Sequence, residues 1–129
     1  IKVRVEQGMP IFGTCAGLIM MARKVYDRVV DTIDATTLDL MDITVERNSF
    51  GRQKESFGAN LEIPSLGREP FQVIFIRAPT ILEVGPDVEV LGKLGTIIAA
   101  VQKGDMIGTV FHPELTTDTR FHEYFLRKL

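Results

Sequence analysis

The period of the apolar positions changes several times along this chain, and each change marks a predicted element. Met9 to Phe12 is a short apolar run of the kind a buried strand makes. Leu18, Ile19, Met21, Ala22 and Val25 then recur at helical spacing, with Arg23, Lys24, Asp27 and Arg28 largely on the wet side. Threonine and aspartate crowd the stretch from Asp31 to Asp39, which predicts a loop. Met41 to Val45 resumes as a strand that runs out into Glu46-Arg47-Asn48-Ser49-Phe50-Gly51-Arg52, and Phe57 to Ile63 alternates as another. Pro64, Gly67 and Pro70 punctuate a turn. Phe71 to Ile76 follows as an apolar run of strand length, read as a central strand, and it stops at Arg77-Ala78-Pro79. Val88 to Phe111 predicts a meander of three short strands, broken at Gly92 to Gly95 and at Lys103-Gly104-Asp105. Finally, Thr116, Thr117 or Asp118 can cap a helix that carries Phe121, Tyr124, Phe125 and Leu129 on one face.

Composition narrows the class of function. The 129 residues are one domain's worth, and an apolar fraction of 45% is ordinary for an α/β domain. A formal charge of −2 with dispersed charges gives no basic footprint, so neither nucleic acid nor an anionic membrane surface is an expected partner. A single cysteine excludes an internal disulfide and suits a reducing compartment, with the cytoplasm as default. Ile1 to Pro10 carries Lys2, Arg4 and Glu6 within a short apolar alternation, which is no signal peptide, and no apolar stretch reaches membrane-spanning length. The chain lacks an initiator methionine and opens a few residues before a strand, so an N-terminally incomplete domain is expected.

The chemistry concentrates at two places. Gly13-Thr14-Cys15-Ala16-Gly17 sets the cysteine between two glycines where a strand gives way to a helix, the layout of a nucleophile elbow. A helix N-terminus there favours the thiolate, and the Ala16 N–H can face a developing oxyanion. Phe111-His112-Pro113-Glu114 supplies a base and a carboxylate two residues apart, a spacing that turns both side chains the same way in extended backbone. Pro113 holds His112 out of helical conformation. Cys15, His112 and Glu114 therefore make a candidate triad for amide hydrolysis. The second histidine, His122, falls in the terminal helical pattern as a surface residue. Arg47 and Arg77 each end a strand pattern, where a guanidinium could hold the α-carboxylate of an amino acid; spacing alone favours a surface or structural ion pair. One cysteine and two histidines without ligand spacing do not make a zinc site, and there is no glycine-rich phosphate loop.

Four segments in this order carry a resemblance: Gly13-Thr14-Cys15-Ala16-Gly17-Leu18, Arg47-Asn48-Ser49-Phe50-Gly51-Arg52-Gln53, Phe75-Ile76-Arg77-Ala78-Pro79 and Phe111-His112-Pro113-Glu114-Leu115. The first and last are shared by class I glutamine amidotransferases, and the middle two resemble the glutaminase subunits of pyridoxal 5'-phosphate synthases. The resemblance covers essentially the whole chain. It implies a flavodoxin-like α/β sandwich with a mostly parallel sheet, helices on both faces and the nucleophile at a strand's carboxyl end. It implies further that Cys15 attacks the side-chain amide of L-glutamine, His112 shuttles the proton and Glu114 orients His112, while Arg47, Ile76 and Arg77 belong to the glutamine site. The ammonia would pass to a (β/α)₈-barrel synthase subunit, with pyridoxal 5'-phosphate as product and no cofactor in the glutaminase. Members of the family carry about one more βαβ unit ahead of the elbow, ending in a Gly-Gly-Glu-Ser loop that completes the oxyanion hole. Two other readings stand beside this one: a class I amidotransferase with a different ammonia acceptor, and a non-catalytic interaction module of the same fold.

Overall fold

A computed structural model describes residues 1–27, 37–47 and 57–129. The predicted loop from Asp31 lies largely outside these residues, as do Arg28 and the Asn48 to Gln53 part of the arginine motif. The described elements are α1 (Lys2–Glu6), β1 (Ile11–Thr14), α2 (Ala16–Met21), β2 (Ala22–Asp27), β3 (Met41–Arg47), β4 (Phe57–Leu61), β5 (Phe71–Phe75), β6 (Thr80–Val84), β7 (Glu89–Leu94), β8 (Ile97–Lys103), β9 (Met106–Thr109) and α3 (Arg120–Leu126). Short 3₁₀ turns cover Pro64–Leu66 and Pro113–Leu115. None of the described helices is long and apolar enough to cross a membrane.

Seven strands form one mixed sheet in the order β1-β9-β8-β6-β3-β2, with β7 also paired to β8. β1 lies parallel to β9 and β2 parallel to β3, and the remaining pairs are antiparallel. Strand alternation sends neighbouring residues of β1 to opposite faces. Gly13 faces α2, where a Cβ would meet the sulfur of Met21, whereas the Phe12 ring packs on Phe121 and Phe125 of α3 at centroid distances of 5.5 and 5.4 Å. Helices therefore cover both faces, as an α/β sandwich requires. The predicted meander is present as β7, β8 and β9, and the middle of its central strand is fully buried, with Ala99, Ala100 and Val101 inaccessible.

Two of the predicted strand and helix assignments change. The helical stripe expected to run to Val25 ends at Met21, because Ala22 turns extended (ψ 152°) and Ala22–Asp27 becomes a strand. The Met20 and Met21 carbonyls, which a longer helix would use internally, accept the N–H groups of Leu38 and Leu40 instead. The run from Phe71 is not central in the large sheet. Among the described residues it pairs, as β5, only with β4, in a two-stranded antiparallel ribbon whose buried face is Phe71, Val73 and Phe75. An apolar run records burial and not pairing partner, and here burial comes from an aromatic cluster. Phe71 meets Phe111 and Phe121, and Phe75 meets Phe111, at centroid distances of 6.2, 5.7 and 6.2 Å.

The terminal helix is narrower in its docking than its pattern. Phe121 is buried and Tyr124 and Phe125 half-buried, but Leu129 is 75% exposed. Thr119 occupies the N-cap without a side-chain bond, and Asp118 accepts the Arg120 N–H at 3.0 Å. His122 is half-buried, with its ring edge on Phe12, and is not the simple surface residue expected.

Candidate active site

The site is built where two parallel strands end side by side. β1 and β9 pair in register, Gly13 opposite Gly108 and Thr14 opposite Thr109, so the residues after each strand emerge at one end of the sheet. Those residues are Cys15 on one side and Val110 to Glu114 on the other. The link is direct: the Cys15 N–H donates to the Thr109 carbonyl at 2.9 Å.

Cys15 is held at φ 51° and ψ −104°, a backbone region that side-chain-bearing residues seldom occupy. This is the strained turn of a nucleophile elbow, and it lifts the thiol off the sheet while α2 starts at the next residue. The two glycines do different work from one another. A Cβ at Gly13 would lie 2.8 Å from the backbone of Gly17 and collide with Met21, so Gly13 is what lets α2 approach. At Gly17 a Cβ would meet nothing within 4 Å.

His112 and Glu114 are in contact. His112 Nδ1 lies 2.7 Å from Glu114 Oε1, across Pro113, with His112 in extended backbone (φ −105°, ψ 95°). With Nδ1–H donated to the carboxylate, the imidazole presents Nε2 as its acceptor. Phe111, fully buried under Phe71, Phe75 and Phe121, anchors this segment from below.

Electrostatics at Cys15 run opposite to the expected preformed thiolate. Burial pushes the thiol above its ordinary value, the Ala16 N–H pulls it down by donating to the sulfur, and the nearby Glu114 carboxylate pushes it up again. Desolvation outweighs what the first turn of a six-residue helix supplies. The arrangement suits a thiol that surrenders its proton to a base as it attacks.

The other three predicted residues lie on other segments. Arg47 ends β3, which reaches β9 in the hydrogen-bonded order only through β6 and β8. Ile76 and Arg77 follow β5 and are exposed, with Arg77 at φ 46°. Among the described residues no hydrogen bond or ion pair joins any of the three to Cys15, His112 or Glu114. The Phe75–Phe111 ring contact does tie the segment leading to Arg77 to the one leading to His112. Sequence reading passed over Thr109, whose signal was one polar residue inside the otherwise apolar and glycine run from Ile107 to Phe111. Among the described residues no three His, Cys, Asp or Glu side chains gather as a metal would need.

Known proteins resemble this chain over nearly its whole length. Residues 1–129 match the model of the SNO glutamine amidotransferase family. Pyridoxal 5'-phosphate synthase subunit PdxT of Nitrosopumilus maritimus is 50% identical over 126 residues, covering 98% of this chain and 62% of the relative. The protein of the same name from Pelotomaculum thermopropionicum is 53% identical over 123 residues, 95% of this chain and 60% of the relative. A crystal structure described as a glutamine amidotransferase superposes with a TM-score of 0.87 at 43% identity, over 98% of this chain and 65% of that one. A crystal structure from Thermoplasma acidophilum, described as part of a GMP synthase, shares the fold with a TM-score of 0.60 at 14% identity, over 98% of this chain and 59% of that one. The chain thus spans about three fifths of the length of these relatives. By a match over its whole length and by identities near one half, the chain belongs to the SNO glutamine amidotransferase family.

Proposed function

We propose that the protein hydrolyses L-glutamine to L-glutamate and ammonia, as the glutaminase subunit of a pyridoxal 5'-phosphate synthase. The observation that carries this reading is the 2.7 Å His112–Glu114 contact beside a strained Cys15 elbow whose N–H is bonded to Thr109, at the end of the strand that leads to His112. The names of the relatives support the choice of pathway.

Residues 1–129 act as the glutaminase domain or part of one. His112 Nε2 takes the Cys15 proton as sulfur attacks the glutamine amide carbon, and the oxygen that becomes negative turns toward the Ala16 N–H. His112 returns the proton to the departing nitrogen, ammonia leaves, and a glutamyl thioester remains on Cys15. Water, deprotonated by His112, attacks the thioester carbonyl and releases glutamate with the thiol restored. Glu114 keeps the imidazole in one tautomer and orientation throughout. Arg47 and Arg77 hold the charged end of glutamine, with Ile76 against its aliphatic part. The ammonia passes to a (β/α)₈-barrel synthase subunit, and pyridoxal 5'-phosphate is the product of that partner. A reducing cytoplasm keeps the single thiol competent.

The decisive assay is glutamate release by the natural full-length protein with the synthase subunit present. Cys15→Ala should abolish release while leaving the two subunits able to bind. Turnover retained by Cys15→Ala would remove the nucleophile assignment, and a parent inactive with every ammonia-accepting partner would favour an interaction module.

A further inference from the structure

We propose that Thr109 is a positioning residue that sets Cys15 and His112 relative to one another, an inference that rests on the glutaminase reading. Thr109 is the last residue of β9 and is completely buried, a polar side chain in the core of an apolar sheet. Both of its polar ends are committed to the site. Its carbonyl accepts the Cys15 N–H at 2.9 Å, and its hydroxyl donates to the Phe111 carbonyl at 2.8 Å.

The second bond matters because of what the Phe111 carbonyl belongs to. It is one half of the planar peptide unit whose other half is the His112 nitrogen, so fixing the oxygen fixes the plane from which the imidazole is carried. The Thr109 hydroxyl reaches over Val110 to do this, at the point where β9 gives way to the bend before Pro113. Val110 is pinned from the other side, its N–H donating to the Ala99 carbonyl at 3.0 Å, and the Phe111 ring is locked among other rings. Little freedom is left except rotation of the Phe111–His112 peptide, and the hydroxyl removes it. The nucleophile's backbone and the base's backbone are therefore referred to one residue, with no side chain of the triad involved.

The test compares Thr109→Val and Thr109→Ala, which delete the hydroxyl at two sizes, with Thr109→Ser, which keeps it. Steady-state glutaminase kinetics are measured in the natural full-length protein with the synthase subunit present, and Cys15→Ala is the zero. The hydroxyl-free variants should lose kcat by roughly ten- to a hundredfold with KM for glutamine nearly unchanged, since misplacement of a reacting group by a fraction of an ångström acts on the chemical step. Thr109→Ser should return to within about threefold of the parent. A purely structural threonine would lower the melting temperature and leave kcat intact below it. Folded Thr109→Val or Thr109→Ala at the parent's kcat overturns the inference, and so does Thr109→Ser as slow as either. A parent without Cys15-dependent turnover would instead overturn the glutaminase reading beneath it.

Discussion

Gly13 and Gly108 lie opposite one another across the parallel β1/β9 pair, and α2 occupies the space their side chains would fill. A Cβ on Gly108 would fall on the Leu18 side chain, and one on Gly13 would meet Met21 and the Gly17 backbone. Leu18 and Met21 are both fully buried there. The elbow is thus seated by glycines beneath the helix, one of which is on the neighbouring strand and lies 95 positions further along the chain. Gly13→Ala should destabilise by about 1–3 kcal/mol or more, the usual cost of overpacking, because the conflict is partly with backbone. Gly17→Ala should leave the melting temperature unchanged or slightly higher, since the added methyl meets nothing and alanine favours helix. Thermal unfolding of the two variants side by side checks the contrast, and equal losses would refute it.

Strain at Cys15 gives a second outcome. Holding a non-glycine residue at φ 51° costs on the order of 1–3 kcal/mol. Cys15→Gly should recover part of this, offset by about 0.5–1 kcal/mol for the greater freedom of glycine in the unfolded chain. Cys15→Ala keeps the strain and should gain nothing. Denaturant midpoints that place Cys15→Gly above Cys15→Ala would show the strain directly, whereas the reverse order would place its relief elsewhere.

Glu114 makes opposing contributions, which separates its roles. Burial first, and then the Glu114 charge, raise the Cys15 thiol, so alkylation by iodoacetamide should climb only above the pH where an ordinary thiol ionises. Glu114→Gln removes the repelling charge and should move that alkylation profile to lower pH. The same change weakens the hold on His112 Nδ1 and should slow glutamine turnover by roughly 10²- to 10⁴-fold. A more reactive thiol in a slower enzyme is the expected pair of results. A profile unmoved by Glu114→Gln would mean that the carboxylate does not act on the sulfur.

What the sequence disclosed about this site is what short-range chemistry determines. Gly13 to Gly17 and His112 to Glu114 are local motifs, and each folds as its spacing implies, down to the His112–Glu114 contact. The meander is legible for the same reason, its turns at Gly95 and Gly104 being written beside its strands. The failures are non-local. Ala22 and Val25 fit a helical stripe and are buried as that stripe requires, yet the burial comes from a strand paired with β3, whose first residue is Met41. Phe71, Val73 and Phe75 are as apolar as a central strand, but Phe71 and Phe75 pack on Phe111, and Phe71 also on Phe121, outside the large sheet. The thiolate expected from a helix N-terminus was a correct force and too small, since the burial opposing it depends on packing from distant segments.

Asp118 and Arg120 show how far from the triad the frame of the site is tied. Arg120 donates to the Glu69 and Pro70 carbonyls at 2.9 and 3.0 Å and lies over the Phe71 ring, joining α3 to the turn that leads into β5. Asp118 holds that guanidinium through both carboxylate oxygens, at 3.0 Å to Nε and 2.7 Å to Nη2. Lysine cannot reproduce this planar fork, so Arg120→Lys should lower the melting temperature by roughly 3–6 °C. The Arg120 hydrogen bonds hold the Asp118 carboxyl below its ordinary value of 3.8. A carboxyl depressed in the folded state contributes stability that is complete above the unfolded value and lost as pH falls through the folded one. Asp118→Asn should therefore be less stable than the parent at neutral pH, with the gap closing as the pH is lowered past about 3.8. Chemical denaturation of both proteins from pH 7 down to pH 3 reads this gap. A gap that persists unchanged to the acid end would assign the role of Asp118 to its bond with the Arg120 backbone N–H, which an amide oxygen can replace only in part and without titrating.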